Sequence, residues 1–277
     1  MYIMSQKKFF ISNGQLKNLE DFDESLIDIY PSVYEVIRVL SGVPLFVEEH
    51  IDRLQNSLRL LNNHYEINAC KLLEDINRLI ENNGFPDENI KIIINQLNKS
   101  KPDTYIFFIP SSYPSQKEYN FGVATILFPA ERHNPNAKVV AKEQRELISL
   151  TLKEKGAYEA LLVNNEGYIT EGSRSNVFFV KDEIVYTPPA DQVLEGITRK
   201  RVITLCKDLG IVIIEKSFSS NTVHKMDAVF MTGTSPKVLP ITVIDDRIFD
   251  SPKNPIVLKI MKAYNNLIDE YIRKNRP

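Results

Sequence analysis

The chain has 277 residues, 43% of them hydrophobic and 25% charged, with 34 Lys and Arg against 36 Asp and Glu for a net charge of −2. That balance describes an ordinary globular chain of one large or two small domains, and it excludes bulk basicity toward nucleic acid or an anionic membrane. Cys70 and Cys206 match no zinc spacing and form no disulfide framework, and no apolar run approaches a membrane span. With no secretory pattern at the N-terminus, the expectation is a cytoplasmic protein without nucleic-acid or membrane partners.

Strand and helix patterns alternate along the chain. Lys8–Ser12 reads as a strand ending at Asn13-Gly14. Val33–Leu40 and Val43–Val47 are β-rich runs around Ser41-Gly42, a hairpin signal. Ile51, Leu54, Leu58 and Leu61 fall at helical spacing within Glu49–Leu61. Ala69–Asn82 repeats the pattern and stops at Asn83-Gly84. Lys91–Leu97 and Thr104–Ile109 are two further strands. Pro110–Tyr119 is Pro/Ser-rich and unpatterned, so a linker is placed there, dividing the chain into 1–110, 111–120 and 121–277. Beyond it come strands at Gly122–Phe128, Glu159–Asn164, Asn176–Lys181, Ile211–Glu215 and Asp227–Thr232. Helices are expected near Lys142–Gly156, at Thr198–Leu209 before Gly210, and at Pro255–Arg273. Interleaved strands and helices in both lobes imply an α+β or α/β two-lobed fold.

Several chemistries lack their signatures. The four histidines have no HxxxH or HExxH spacing, and neither G-x-S-x-G, GxGxxG nor a P-loop is present. Five segments break the bland pattern: VYEVIRVLSGVPLFVEEHIDR (33–53), NPNAK (134–138), GYITEGSRSNVFFV (167–180), LEGITR (194–199) and TGTSPKVLPI (232–241). LEGITR offers a glycine and free backbone N–H groups at a helix start, a natural anion site. TGTSP adds hydroxyls, Arg53 a positive charge, Lys138 an amine able to form a Schiff base, and Glu171 a carboxylate among small residues. Taken singly, each segment reads better as a cap, a turn or a solvated side chain.

Together and in this order, the segments resemble the fold-type IV, pyridoxal-phosphate-dependent aminotransferases, which include branched-chain and D-amino acid aminotransferases and aminodeoxychorismate lyases. The resemblance runs from about Val33 to Ile241, strongest in EALLVNNEGYITEGSRSNVFFV (159–180). It implies a small N-terminal α/β lobe, a larger C-terminal cofactor-binding lobe, and a homodimer. It implies that Lys138 holds pyridoxal 5′-phosphate as a Schiff base. The intervals from Lys138 to Gly156 and to Glu171 look like the family's; Lys142, the competitor, would shorten both. Glu171 corresponds to the carboxylate at the pyridinium nitrogen, and Arg53 to the phosphate-binding arginine. Ile197, Thr198 and Thr234 correspond to further phosphate ligands. Tyr34 corresponds to an aromatic residue on the substrate side, and Thr234–Ser235 to the turn that binds the substrate carboxylate.

The implied reaction moves an amino group between an amino acid and a 2-oxo acid with ping-pong kinetics, Lys138 carrying the proton from Cα. Three departures bear on substrate. Tyr30-Pro31-Ser32 replaces a Gly-Asp-Gly-like turn before Tyr34. The strand IKIIINQLN lacks the arginine of D-amino acid aminotransferases. Pro236-Lys237 replaces small residues and Glu after the TGTS turn. Apolar positions around Val36 and Val39 suit a branched-chain L-amino acid. The alternatives are a lyase releasing pyruvate, a D-amino acid aminotransferase, and a non-catalytic binding protein on the same fold.

Overall fold

The computed structural model describes residues 7–27, 29, 31–131, 136, 138 and 142–276. Of the NPNAK segment, Asn136 and Lys138 are described; Tyr30 of the turn before Tyr34 lies outside the described residues. The chain divides into two compact units: Met1–Ser112 with Ala137–Val140 and Ile268–Pro277, and Tyr113–Asn136 with Ala141–Leu267.

The first unit is an antiparallel sheet with two helices on one face. Its strands are β1 (Phe9–Ser12), β2 (Gln15–Asn18), β3 (Val33–Leu40), β4 (Val43–Pro44), β5 (Asn89–Asn95) and β6 (Asp103–Ile109), in the order β2-β1-β6-β5-β3-β4. Asn13 and Gly14 both take positive φ, 50° and 76°, which suits the two-residue turn from β1 to β2. Helices α1 (Val47–Leu60) and α2 (Ala69–Asn82) lay Leu54, Leu58, Ile76 and Leu79 on Val33, Ile37, Ile90 and Ile92. Each such fully buried side chain contributes about 1.5–3 kcal/mol of transfer free energy. On the opposite face Tyr34, Ile93, Tyr105 and Phe107 form a second cluster, with Val36 and Ile109 against it.

One expected strand is shorter than its propensity suggested. Val43–Val47 ends as strand at Pro44, because Phe46 turns left-handed (φ 54°) and Val47 opens α1. Glu48 and Glu49 follow in the first helical turn, where the helix dipole favours carboxylates and outweighs the β preference of Val47.

The second unit carries α3 (Gln116–Phe121), β7 (Val123–Pro129), α4 (Lys142–Lys155), β8 (Glu159–Val163), β9 (Tyr168–Gly172), β10 (Asn176–Lys181) and β11 (Ile184–Thr187). There follow α5 (Ile197–Asp208), β12 (Ile213–Glu215), β13 (Phe218–Ser219), β14 (Ala228–Gly233), β15 (Lys237–Ile244), β16 (Arg247–Ile248) and α6 (Pro255–Asn275), the last helix continuing into the first unit's residues. The sheet runs β12-β11-β10-β14-β15-β7-β8-β9-β13, with β16 paired to β15. Its ladder is mixed: β7 lies parallel to β8 and β15, and β14 antiparallel to β10 and β15.

The stretch read as unpatterned holds a short helix. Ser115 accepts from the Glu118 N–H, and the Glu118 carboxylate accepts the Ser115 N–H, a capping box that starts α3. Gly210 ends α5 with a φ of 69°, as the sequence pattern requires.

Candidate active site

In the first unit the site is built around a buried carboxylate. Val33, Glu35 and Ile37 alternate onto the helix-covered face of β3, so Glu35 is 0% exposed in an apolar layer. Two side chains one turn apart on α1 answer its charge. His50 Nδ1 lies 2.7 Å from Oε2, and Arg53 donates through Nε to Oε1 and Nη2 to Oε2, each at 2.7 Å. Burial alone would raise the Glu35 carboxyl. The Arg53 charge and the hydrogen bonds from Arg53 and His50 outweigh that and hold it far below the usual carboxylate range. Burial pushes the His50 imidazole down, against the pull of Glu35 and with the help of the Arg53 and Lys138 charges. His50 is therefore neutral, with its Nδ1 proton donated to Glu35.

One turn beyond Arg53, Ser57 Oγ donates to the Arg53 carbonyl at 2.9 Å and accepts the Lys138 N–H at 3.2 Å. The Tyr34 N–H donates to the Lys138 carbonyl at 3.1 Å. The Lys138 backbone is thus held on one side by α1 and on the other by β3. Its Nζ lies 4.8 Å from the centre of the Tyr34 ring, and the Nζ of the buried Lys91 lies 5.4 Å from the same ring. Lys142, the alternative lysine, opens α4 in the second unit.

In the second unit two separate motifs meet at one peptide. Glu171, on β9 and 2% exposed, accepts the Leu194 N–H through Oε2 at 3.2 Å. The Leu194 carbonyl accepts from Asn176 Nδ2 at 2.8 Å and from the Gly196 N–H at 2.7 Å. Gly196 caps α5 without a side-chain bond, and a Cβ there would come within 2.1 Å of Asn176 Oδ1. The N-terminus of α5 therefore presents the backbone N–H groups of Ile197 and Thr198 with no capping side chain over them. Thr198 is 5% exposed, and its Oγ1 accepts from the Tyr264 hydroxyl at 3.3 Å.

Thr234 and Ser235 lie, half-buried, in the turn joining β14 to β15. Beside that turn runs the loop 173–175: a Cβ on Gly233 would stand 3.5 Å from the Arg174 carbonyl. The loop is wrapped on buried Glu159. Oε1 accepts from Ser173 Oγ at 2.6 Å, and Oε2 accepts from Ser175 Oγ at 3.1 Å and the Arg174 N–H at 3.3 Å.

The structure thus gathers Tyr34, Arg53 and Lys138 within the first unit, and ties Glu171 to the α5 start that carries Ile197 and Thr198 within the second. Glu35, His50, Lys91, Asn176, Glu159 and Tyr264 were not singled out from the sequence. The signals were present for two of them: a carboxylate on the apolar register of β3, and His50 and Arg53 at i, i+3 spacing.

The family description for amino-transferase class IV matches residues 32–244. The chain belongs to this family. Among its relatives, the branched-chain-amino-acid aminotransferase of Pseudomonas aeruginosa is 28% identical over 85% of this chain and 83% of its own length. The D-alanine aminotransferase of Bacillus licheniformis is 28% identical over 85% and 87%. The solved branched-chain amino acid aminotransferase of Thermoproteus uzoniensis with norvaline superposes at a TM-score of 0.84, with 25% identity and 96% of this chain and 98% of that one covered. The class IV aminotransferase reading carries its cofactor, pyridoxal 5′-phosphate. The residues present fit that group: the α5 start has no side-chain cap over its backbone N–H groups, as a phosphate would need, and Glu171 is a buried carboxylate of the kind that could face a cationic ring nitrogen.

The His50 geometry carries a pH dependence. An unfolded histidine titrates near pH 6.5, whereas the folded one resists protonation until lower pH. Between those two values the unfolded state binds more protons, so stability falls as pH drops below about 6.5. The slope from this site is at most about 1.4 kcal/mol per pH unit. Urea unfolding at pH 7.5 and 5.5 should show a smaller pH effect for His50→Asn, whose amide still reaches Glu35, than for wild type. An equal pH effect in the two proteins would contradict a buried neutral His50.

Proposed function

We propose that this class IV aminotransferase moves the amino group of small branched-chain L-amino acids to a 2-oxo acid. The observation that carries the substrate reading is that Val36 and Ile109, half-buried and apolar, pack against the cluster of Tyr34 on its face of the sheet. Such a surface favours an aliphatic side chain by roughly 0.8 kcal/mol for each CH2 it covers. The branched-chain relatives support the same choice. A homodimer in the cytoplasm belongs to this proposal on the resemblance alone; among the described residues no helix is long and apolar enough to cross a membrane.

The proposed roles are those the family resemblance implies. When bound, pyridoxal 5′-phosphate supplies an aldehyde to take the amino group and a cationic ring to draw electrons. Lys138 would hold it through Nζ, and that amine would be the base for the substrate Cα proton. Ser57 and Tyr34 hold the Lys138 backbone, and the Tyr34 ring also lies beside its Nζ. Glu171 holds a negative charge for the ring nitrogen, and its buried setting strengthens that interaction. Arg53, Ile197, Thr198 and Thr234 hold the phosphate. In the first unit Glu35 fixes the plane of the Arg53 guanidinium, and the pair's geometry is bidentate. Tyr34, Thr234 and Ser235 receive the substrate, the turn offering backbone N–H groups to its carboxylate.

A panel of amino donors followed by single-turnover absorbance tests the substrate reading. L-leucine, L-isoleucine and L-valine should convert the bound cofactor in one phase, with D-alanine slower by about tenfold or more. Preference for D-alanine, or pyruvate release from 4-amino-4-deoxychorismate as the faster reaction, would replace it with the corresponding alternative.

Glu171→Gln keeps the shape and removes the charge. With the best donor, the single-turnover rate should drop by about a hundredfold or more, while phosphate-driven cofactor affinity changes far less. A variant that binds cofactor normally and reacts at the wild-type rate would remove Glu171 from the ring nitrogen.

A further inference from the structure

We propose that Tyr264 is a positioning residue of the phosphate cradle: its hydroxyl donates to Thr198 Oγ1, so that the Thr198 hydroxyl presents its own proton to a phosphate oxygen. This rests on the reading of Thr198 as a phosphate ligand and adds the group that orients it.

The starting point is where a threonine hydroxyl at this place can send its proton. Within a helix the usual acceptor is the carbonyl four residues back. For Thr198 that is Leu194, whose oxygen already accepts from Asn176 Nδ2 at 2.8 Å and the Gly196 N–H at 2.7 Å. A carbonyl oxygen has two lone pairs, and both are used. The Tyr264 hydroxyl is placed to donate to Thr198 Oγ1 at 3.3 Å in a buried setting. A hydroxyl that accepts from Tyr264 and is denied the Leu194 carbonyl keeps its own proton for another acceptor, and a phosphate at the start of α5 would be one. The Ile197 and Thr198 N–H groups serve the same helix start, uncapped by any side chain of Gly196.

The sequence context separates the hydroxyl from the ring. Val257, Ile260, Tyr264 and Ile268 are the buried stripe of α6, each 4% exposed or less. The spacing is that of a packing face, which leucine or phenylalanine would serve equally. The phenolic oxygen is the only polar atom that position 264 adds to the stripe. Burying a tyrosine hydroxyl is tolerated where it finds a partner, and the partner here is Thr198.

The experiment is a titration of cofactor-free protein with pyridoxal 5′-phosphate, and in parallel with pyridoxal, which lacks the phosphate. Tyr264→Phe should weaken pyridoxal 5′-phosphate about two- to tenfold, the range of one net hydrogen bond, and leave pyridoxal affinity unchanged. The 31P resonance of the bound cofactor should shift in the same variant. Thr198→Val should abolish the dependence, so that adding Tyr264→Phe to it produces no further loss. Thr198→Ser, which keeps the hydroxyl, should retain the coupling. Equal pyridoxal 5′-phosphate affinity and an unmoved 31P signal in Tyr264→Phe would overturn the inference. So would losses that simply add in the double variant, or a parallel loss of pyridoxal, since both mark general packing. A wild-type protein that binds both compounds equally would instead overturn the phosphate reading of Thr198, and the inference with it.

Discussion

The first unit depends on a carboxylate placed where none would ordinarily survive. Taking the Glu35 charge out of water costs several kcal/mol, and only close, hydrogen-bonded cations offset it. The Arg53 cation does so, with a further hydrogen bond from the neutral His50, and the two side chains tie α1 to β3. Everything local to Lys138 follows. With Arg53 fixed, Ser57 stands one turn along and takes the Lys138 N–H, while β3 offers the Tyr34 N–H to the Lys138 carbonyl. Removal of the Glu35 charge would leave Arg53 without its bidentate partner and loosen the helix that holds the lysine. The buried cluster fixes the placement of α1 on β3 through the geometry of its hydrogen bonds.

The second unit uses a different principle, a backbone peptide shared between two motifs. The Leu194 N–H goes to Glu171 and its carbonyl to Asn176, so the strand-borne segment around EGSRSN and the helix-opening segment LEGITR cannot shift independently. Gly196 is required by the same closeness, since any side chain would overlap Asn176. Buried Glu159 organises the neighbouring loop through the Ser173 and Ser175 hydroxyls, which explains small hydroxylated residues there without assigning them to chemistry. Burial pushes the Cys206 thiol up to about 12, the setting of a packing residue.

What could be read from the sequence was what local physics decides. The bounds of α2 emerged from apolar spacing and from Asn83-Gly84 at its end, and the β1 and β3 turns from Asn-Gly and Ser-Gly pairs. The membership in class IV aminotransferases was legible because the motifs keep their order over most of the chain. Long-range placement was not. Nothing near Glu35 in sequence says that His50 and Arg53 will reach it, because that contact needs α1 to pack back across β3. Tyr264 was hidden for the same reason: in sequence it is one more apolar step of a closing helix, and its hydroxyl acquires meaning only once α6 lies beside Thr198. The strand β15, with Pro240 opposite Phe230, escaped notice because a proline inside an apolar run argues against a strand. Conversely, the β propensity of Val47 yields at the start of α1 to the helix dipole, with Glu48 and Glu49 in the first turn, and to tertiary packing.

The most direct measurement is borohydride reduction of the cofactor-loaded protein followed by proteolysis and mass spectrometry of the labelled peptide. The cofactor mass should be found on Lys138, whose backbone is clamped by Ser57 and Tyr34 and whose amine stands over the Tyr34 ring. Label on Lys142 instead, or no covalent label on a protein that binds pyridoxal 5′-phosphate, would contradict the assignment at its centre.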